Sequence, residues 1–139
     1  MNILAPRLPG ARLLDLCAGS GALGLESLSR GAAHVTFVEH NPAVEAVLRA
    51  NIEALGMEPT SRLIRGDALH QLTIADPGEF DIVLADPPWD DDLAAALVTQ
   101  FRRRPVGQLL AVEHAAARPL SGGETRRYGN TAITFCYSS

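Results

Sequence analysis

The chain has 139 residues, of which 47% are hydrophobic, enough for one domain with one buried core. Its longest apolar runs are shorter than the ~20 residues that a membrane-spanning helix needs. The N-terminus lacks the charged-then-apolar layout of a signal peptide. A formal net charge of −4 argues against broad affinity for nucleic acid. We therefore expect a single domain over residues 1–139 that is soluble, cytoplasmic and monomeric.

Cysteine, histidine and arginine usage narrows the chemistry. Cys17 and Cys136 fall in predicted strands and show no metal-ligand spacing, so we expect buried free thiols. The four histidines are scattered, and we expect no metal. All twelve basic residues are arginines, with clusters at 102–104 and 126–127. Arginine suits both phosphate binding and the end of a helix, and the sequence leaves these two roles open.

The stretch over residues 12–24, RLLDLCAGSGALG, predicts a buried strand, a glycine-rich turn and the start of a helix. Glycine in such a turn lets a ligand approach closely, and the first N–H groups of the helix are unpaired donors. The spacing Gly19-x-Gly21-x-x-Gly24, with Glu39 twenty positions after Gly19, matches a dinucleotide-binding fingerprint. This pattern alone fits NAD, FAD or S-adenosylmethionine.

Asp15 separates these ligands, because it lies inside the predicted strand, four residues before the first glycine. A buried carboxylate is costly unless a cation or hydrogen-bond donors meet it. The α-amino group of S-adenosylmethionine would supply a cation, whereas the diphosphate of NAD or FAD would be repelled. The alternative is that Asp15 accepts N–H groups from the neighbouring backbone.

Hydrophobic periodicity and capping residues predict the remaining elements. We expect strands over residues 34–38, 61–64, 80–85 and 107–112, and a closing hairpin over 125–128 and 132–137. We expect helices over residues 22–29, 42–55 and 93–103, and a helical turn over 68–72. This alternation indicates an α/β fold: a mainly parallel, Rossmann-like sheet with a C-terminal antiparallel hairpin. Ligands of such sheets bind at the carboxyl ends of the strands, where Asp15, Glu39, Asp67 and Asp86 would converge.

Four segments carry a resemblance to a known family: DLCAGSGALGLESLSRGA at 15–32, FVEHN at 37–41, GDA at 66–68 and LADPPW at 84–89. Together they resemble RsmD-type enzymes, class I S-adenosylmethionine-dependent methyltransferases of a guanine N2 in small-subunit (16S) ribosomal RNA. The resemblance implies S-adenosyl-L-methionine as cofactor and ribosomal RNA or the small ribosomal subunit as partner. It also implies an N-terminal extension, with basic and glycine-rich segments, that this sequence lacks.

The resemblance and the strand-end positions together give the cofactor-binding candidates: Asp15, Ala18, Gly19, Ser20, Gly21, Glu39, His40, Asp67, Ala68 and Asp86. Glu39 can accept both ribose hydroxyls, or it is a solvated acid at a strand end. The resemblance implies that Asp67 holds the adenine amino group and that Ala68 adds a backbone contact. Asp67 can also cap the helical turn that follows it.

The catalytic candidates are Asp86, Pro87, Pro88 and Trp89. An exocyclic guanine amine is a poor nucleophile, because its lone pair is delocalised into the ring. The Asp86 carboxylate and the Pro87 carbonyl can each accept one N–H of that amine and stabilise the charge that it gains during attack. Trp89 can stack on the base. The bland alternatives are that Pro87-Pro88 only ends a strand and that Trp89 packs on the rim of the sheet.

The Asp-Pro-Pro form is compatible with amines at adenine N6, cytosine N4 and guanine N2, and only the resemblance selects guanine. Competing interpretations are an adenine-N6 methyltransferase of DNA or RNA and a cofactor-binding module inactive in this short form. A nicotinamide-dependent oxidoreductase is a further alternative, based on the glycine spacing and Glu39.

Overall fold

The computed structural model describes residues 3–88 and 92–138. Strands are β1 (Arg12–Leu16), β2 (His34–Glu39), β3 (Ser61–Arg65), β4 (Ile82–Ala85), β5 (Leu109–Ala115), β6 (Glu124–Tyr128) and β7 (Thr131–Tyr137). Helices are α1 (Ala22–Ser29), α2 (Pro42–Ala54), α3 (Ala68–Ile74) and α4 (Leu93–Arg103). None of the helices in these two ranges is long and apolar enough to cross a membrane.

The described strands form one seven-stranded sheet in the order β3-β2-β1-β4-β5-β7-β6. The pairs among β1 to β5 are parallel, whereas β7 pairs antiparallel with both β5 and β6. This arrangement confirms the predicted mainly parallel sheet with a closing hairpin. Because β1 and β4 are neighbours, the chain segments that follow them leave the sheet side by side at its carboxyl edge.

Two hydrophobic clusters cover the two faces of the sheet. Side chains of α1 and α2, such as Leu25 and Leu48, pack on the face that contains Leu13 and Phe37. Side chains of α3 and α4, such as Leu72 and Phe101, pack on the other face. A strand covered on both sides must be apolar at successive positions, which explains the continuous apolar character of β1 around Asp15.

Several predicted boundaries differ from the observed ones. β5 begins two residues later than predicted and runs on to Ala115, because β7 pairs with it along its whole length. Cys17 was expected within the first strand, but it follows β1 in the turn, with φ of +57°. Cys136 is buried in β7, as expected. The helices α1 and α4 have their predicted bounds.

Candidate active site

A cavity of about 660 Å³ opens at the carboxyl edge of the sheet, where β1, β2, β3 and β4 end. It is lined by Cys17, Gly19, Glu39, His40, Asn41, Val44, Asp67, Ala68, Asp86, Pro87, Pro88 and Leu93. Eight of these were predicted from the sequence as site residues: Gly19, Glu39, His40, Asp67, Ala68, Asp86, Pro87 and Pro88. The segments that follow four different strands therefore contribute to one site.

The turn after β1 forms one wall of this cavity. Gly19 has φ of +58°, and no atom lies within 4 Å of the position that a Cβ would occupy there. Gly24, in the first turn of α1, is needed for a different reason: a Cβ there would lie 2.9 Å from Asp15 Oδ2 and would also overlap the Phe37 ring. The glycine spacing thus combines an open face toward the cavity with close packing of α1 on β1 and β2.

Glu39 is buried and holds the backbone of two neighbouring segments. Its Oε1 accepts the Gly19 N–H at 2.9 Å, and its Oε2 accepts the Asn41 N–H at 3.0 Å. The exposed His40 ring lies 3.6 Å from Oε2. Glu39 is therefore not the freely solvated acid of the alternative interpretation. Each carboxylate oxygen keeps a second lone pair for a ligand donor.

Asp67 is the N-cap of α3. Its Oδ2 accepts the His70 N–H at 2.9 Å, so the predicted capping role is confirmed. The residue is exposed and also lines the cavity. A carboxylate that caps with one oxygen retains the other for a ligand, and the two predicted roles of Asp67 are compatible.

Asp15 lies beneath the turn and not on the cavity wall. The residue is 3% exposed, and its Oδ2 has no hydrogen-bond partner among the described residues. Burial raises the pKa of Asp15 to about 7; the nearby Gly24 backbone opposes this shift, and the negative charges of Asp86 and Glu39 add to it. The carboxylate thus lacks the full set of local N–H partners that the alternative interpretation required.

Asp86 follows β4 directly and belongs to the cavity wall with Pro87 and Pro88. Although the residue is exposed, the surrounding protein removes enough water from its carboxyl to raise the pKa of Asp86. The predicted stacking residue Trp89 lies outside the described residues.

Cys17 was not predicted as a cavity residue, yet it lines the cavity, and the pKa of its thiol is affected by the acids of the site. Burial, together with the negative charges of Glu39, Asp15, Asp86 and Asp67, raises the pKa of Cys17 to about 12. The four predicted acids therefore act on one point at this edge. A thiol with such a pKa stays protonated at neutral pH and is not a nucleophile. The position of Cys17 within the glycine turn was the signal that could have identified it.

Three predicted cofactor contacts besides Asp15 do not line the cavity: Ala18, Ser20 and Gly21. Ser20 instead borders a separate cavity between α1 and α2. Gly21 is buried, and a Cβ there would overlap the Leu48 side chain. Asn41 was used only as a helix cap in the sequence interpretation, but it also contributes to the cavity wall.

Two of the three arginines in the first cluster donate hydrogen bonds to backbone carbonyls of other segments. Arg102 donates to the Gly122 carbonyl, and Arg104 donates to the carbonyls of Thr73 and Ala75. In the second cluster, Arg126 lies 3.5 Å from Glu124 on the exposed strand β6. Arg102 and Arg103 lie in the last turn of α4, as the helix-end role requires, but the observed contacts of Arg102 and Arg104 are to other segments. Phosphate binding by either cluster stays a hypothesis.

The site residues fit a cationic cofactor. Asp15 Oδ2 is a buried acceptor without a partner among the described residues, and four carboxylates concentrate negative charge at one edge of the sheet. A positively charged ligand would compensate that charge, whereas a diphosphate would be repelled by it. Gly19 provides an open stretch of backbone beside these acids.

Known proteins that are similar to this chain include methyltransferases. The family described as Conserved hypothetical protein 95 matches residues 1–135. Ribosomal RNA small subunit methyltransferase D of Escherichia coli (strain K12) is 43% identical over 89 residues, which are 63% of this chain and 43% of that protein. A tRNA1(Val) (adenine(37)-N6)-methyltransferase of Shewanella sp. (strain W3-18-1) is 31% identical over 98 residues, 69% of this chain and 41% of that protein. The chain spans about half the length of the curated relatives it matches.

Among solved structures, a hypothetical protein of Thermus thermophilus is similar over nearly the whole chain. The TM-score is 0.83 at 28% identity, with 99% of this chain and 80% of that chain covered. The fold is that of the class I methyltransferases.

Proposed function

The chain belongs to the Conserved hypothetical protein 95 family, the RsmD family of methyltransferases, and we propose that it methylates the N2 amine of a guanine in small-subunit ribosomal RNA. The observation that carries this proposal is the position of Asp86-Pro87-Pro88 in one cavity with Gly19, Glu39 and Asp67. A methyl donor held by the first three strand ends would face the acceptor groups after β4.

The cofactor would be held by the acids and backbone of the cavity. The Glu39 carboxylate, fixed by two backbone N–H groups, has lone pairs left for ribose hydroxyls, and Asp67 has one oxygen left for the adenine amino group. Asp15 acts on the cationic part of the ligand through its charge from beneath the turn. When bound, S-adenosylmethionine would supply an electrophilic methyl carbon on a cationic sulfur. Transfer to the amine would leave the bonding electron pair on sulfur and a proton to be removed from the nitrogen.

The Asp86 loop prepares the amine. The carboxylate of Asp86 and the carbonyl of Pro87 each accept an N–H of the exocyclic group, which draws the nitrogen lone pair out of conjugation with the ring. Both acceptors interact more strongly with the nitrogen once it becomes positively charged, so they favour the transition state over the ground state. The raised pKa of Asp86 suits it to take the released proton before passing it to water.

The proposal is tested with the purified chain, labelled S-adenosylmethionine and small ribosomal subunits from a strain that lacks the modification. Digestion of the RNA to nucleosides should yield labelled N2-methylguanosine. Because the chain spans about half of its relatives' length, this assay also tests whether the short form is active. Tight binding of S-adenosylhomocysteine without any labelled nucleoside would support the cofactor-binding module instead.

A second candidate is methylation of adenine N6, and the similarity to the Shewanella tRNA enzyme favours it. The same digestion, repeated with unmodified transfer RNA, would then yield N6-methyladenosine. Stabilisation by NAD but not by S-adenosylhomocysteine in a thermal shift assay would instead support the oxidoreductase. The four carboxylates of the site speak against that outcome.

A further inference from the structure

Another, mainly apolar cavity of about 130 Å³ lies next to the Asp86 loop, on the sheet face that α1 covers. We name it the Glu113 cleft; it is lined by Ile3, Leu4, Leu23, Leu84, Ala85, Glu113, Ala111, Tyr128, Ile133 and Phe135. Leu84 and Ala85 are the last residues of β4 before Asp86, so adjacent residues of the chain line the cleft and the larger cavity.

Among the described residues that line this cleft, Glu113 is the one carboxylate, and the fold leaves it half-buried. Ala85 pairs with Val112 in the sheet, which places Glu113 and Asp86 at the next step along the two neighbouring strands. Within residues 3–88 and 92–138, no group donates a hydrogen bond to its carboxylate. Burial raises the pKa of Glu113, and the charge of Asp86 raises it further. Among the described residues, this carboxylate is therefore an acceptor without a donor.

Tyr128 forms another side of the cleft. It ends β6 and is 57% exposed, an unusual position for a large aromatic side chain. An exposed ring beside an apolar cleft can stack on a planar group, and stacking on a nucleobase contributes roughly 1–3 kcal/mol.

We propose that the Glu113 cleft receives the base to be methylated and that Glu113 accepts the ring N1–H of guanine, while Tyr128 stacks on the base. This inference rests on the proposed function, and it names the residue that selects guanine. In this arrangement Asp86 and Pro87 accept the two N–H groups of the amine, and Glu113 accepts the ring N1–H. Each acceptor therefore receives one hydrogen bond from the base.

The chemistry of the three amines that an Asp-Pro-Pro loop can serve makes this assignment selective. In guanine the ring nitrogen between the amine-bearing carbon and the carbonyl carbon carries a hydrogen, and a carboxylate accepts it. In adenine and cytosine the ring nitrogens beside the amine-bearing carbon are acceptors without hydrogen, and a carboxylate would repel them. When a base without this N–H binds, the half-buried Glu113 carboxylate is left without a hydrogen-bond donor. That cost weakens the binding of adenine and cytosine relative to guanine.

The test compares two short oligouridine RNAs, one with a single central guanine and one with 2-aminopurine in its place. 2-Aminopurine keeps the N2 amine but lacks the N1–H. Affinity is measured by fluorescence anisotropy with saturating S-adenosylhomocysteine. We expect the wild-type protein to prefer the guanine RNA by roughly tenfold or more.

Glu113→Gln should abolish this preference, because an amide can turn either its oxygen or its NH2 group to the ring nitrogen. Glu53→Gln, an exposed glutamate on α2, is the matched control and should retain the wild-type preference. Tyr128→Ala should weaken the binding of both RNAs equally, whereas Tyr128→Phe should not. Unchanged affinity for S-adenosylhomocysteine and a melting temperature no lower than that of the wild type exclude a folding defect in each variant.

Equal wild-type affinity for the two RNAs, no measurable binding of either, or an unaltered preference in Glu113→Gln would each overturn the inference. This experiment measures binding and not methyl transfer, so its result can be distinguished from a failure of the proposed reaction. N2-methylguanosine in the digest without a guanine preference in binding counts against Glu113 alone. A guanine preference that depends on Glu113, in a protein that forms no N2-methylguanosine, supports the inference and counts against the proposed reaction.

Discussion

The pKa values of several carboxylates are shifted in opposite directions at the two edges of the sheet. At the amino edge, Asp81 accepts the backbone N–H of Arg12 at 2.8 Å and its guanidinium Nη2 at 3.1 Å. The hydrogen bonds from Arg12 lower the pKa of Asp81. At the carboxyl edge, the pKa values of Asp15, Asp86 and Glu113 are all raised, because burial disfavours the charged form and no cation among the described residues compensates it.

This difference separates a structural role from a ligand-binding role. The Arg12–Asp81 pair joins the start of β1 to the start of β4 and satisfies its own charges. The acids of the carboxyl edge destabilise the protein when they are ionised and unpaired, and a fold retains such groups where a ligand supplies the missing charge. Four variants test this contrast, in descending order of expected effect.

Asp86→Ala should lower kcat for methyl transfer by roughly 10²–10³-fold, the cost of removing one group that stabilises charge in a transition state. The affinity for S-adenosylhomocysteine, measured by calorimetry, should remain close to the wild-type value because Asp86 faces the substrate amine. An equal loss of transfer and of cofactor binding would contradict the assigned role.

Asp15→Asn should stabilise the free protein at pH 8 by up to roughly 4 kcal/mol, and not at pH 4. The pKa of this acid is raised to about 7 in the folded state, so the folded protein binds the proton more tightly than the unfolded chain does. Stability from this group is therefore lost as pH rises from about 4 to about 7. Urea unfolding at the two pH values measures the effect. S-adenosylmethionine affinity should fall in the same variant, and a variant less stable at pH 8 would refute the account.

Asp67→Ser should separate capping from cofactor binding. Serine is as good an N-cap as aspartate, so the free energy of unfolding should change little. The affinity for S-adenosylhomocysteine should fall by roughly tenfold, because a charged acceptor for the adenine amino group is lost. Unchanged affinity would leave Asp67 with its capping role alone.

Asp81→Ala should lower the melting temperature by a few degrees and leave cofactor affinity unchanged. Its pH dependence has the opposite sign to that of Asp15. A lowered folded-state pKa gives stability that is present above about pH 4, the unfolded value, and is lost as pH falls through the folded pKa. The variant should therefore differ from wild type at pH 7 and approach it in acid, as thermal unfolding at both pH values would show.

Local patterns were sufficient for the architecture. The bounds of α1 and α4, the mainly parallel sheet with its closing hairpin and the convergence of Glu39, Asp67 and Asp86 at one edge could all be predicted. Apolar periodicity, helix caps and glycine spacing act over a few residues, and parallel connection rules then place the carboxyl ends of β1 to β5 on the same side.

Packing between different segments of the chain determined the burial of Asp15 and the formation of the Glu113 cleft. Asp15 lies beneath the turn and not in the cavity because Gly24 of α1 packs close to its side chain and buries it. The Glu113 cleft exists only because β4, β5 and the distant hairpin meet beside the Asp86 loop. Contacts between segments far apart in the chain set the burial of a side chain, and burial in turn sets whether a carboxylate is a paired structural group or an acceptor that awaits a ligand.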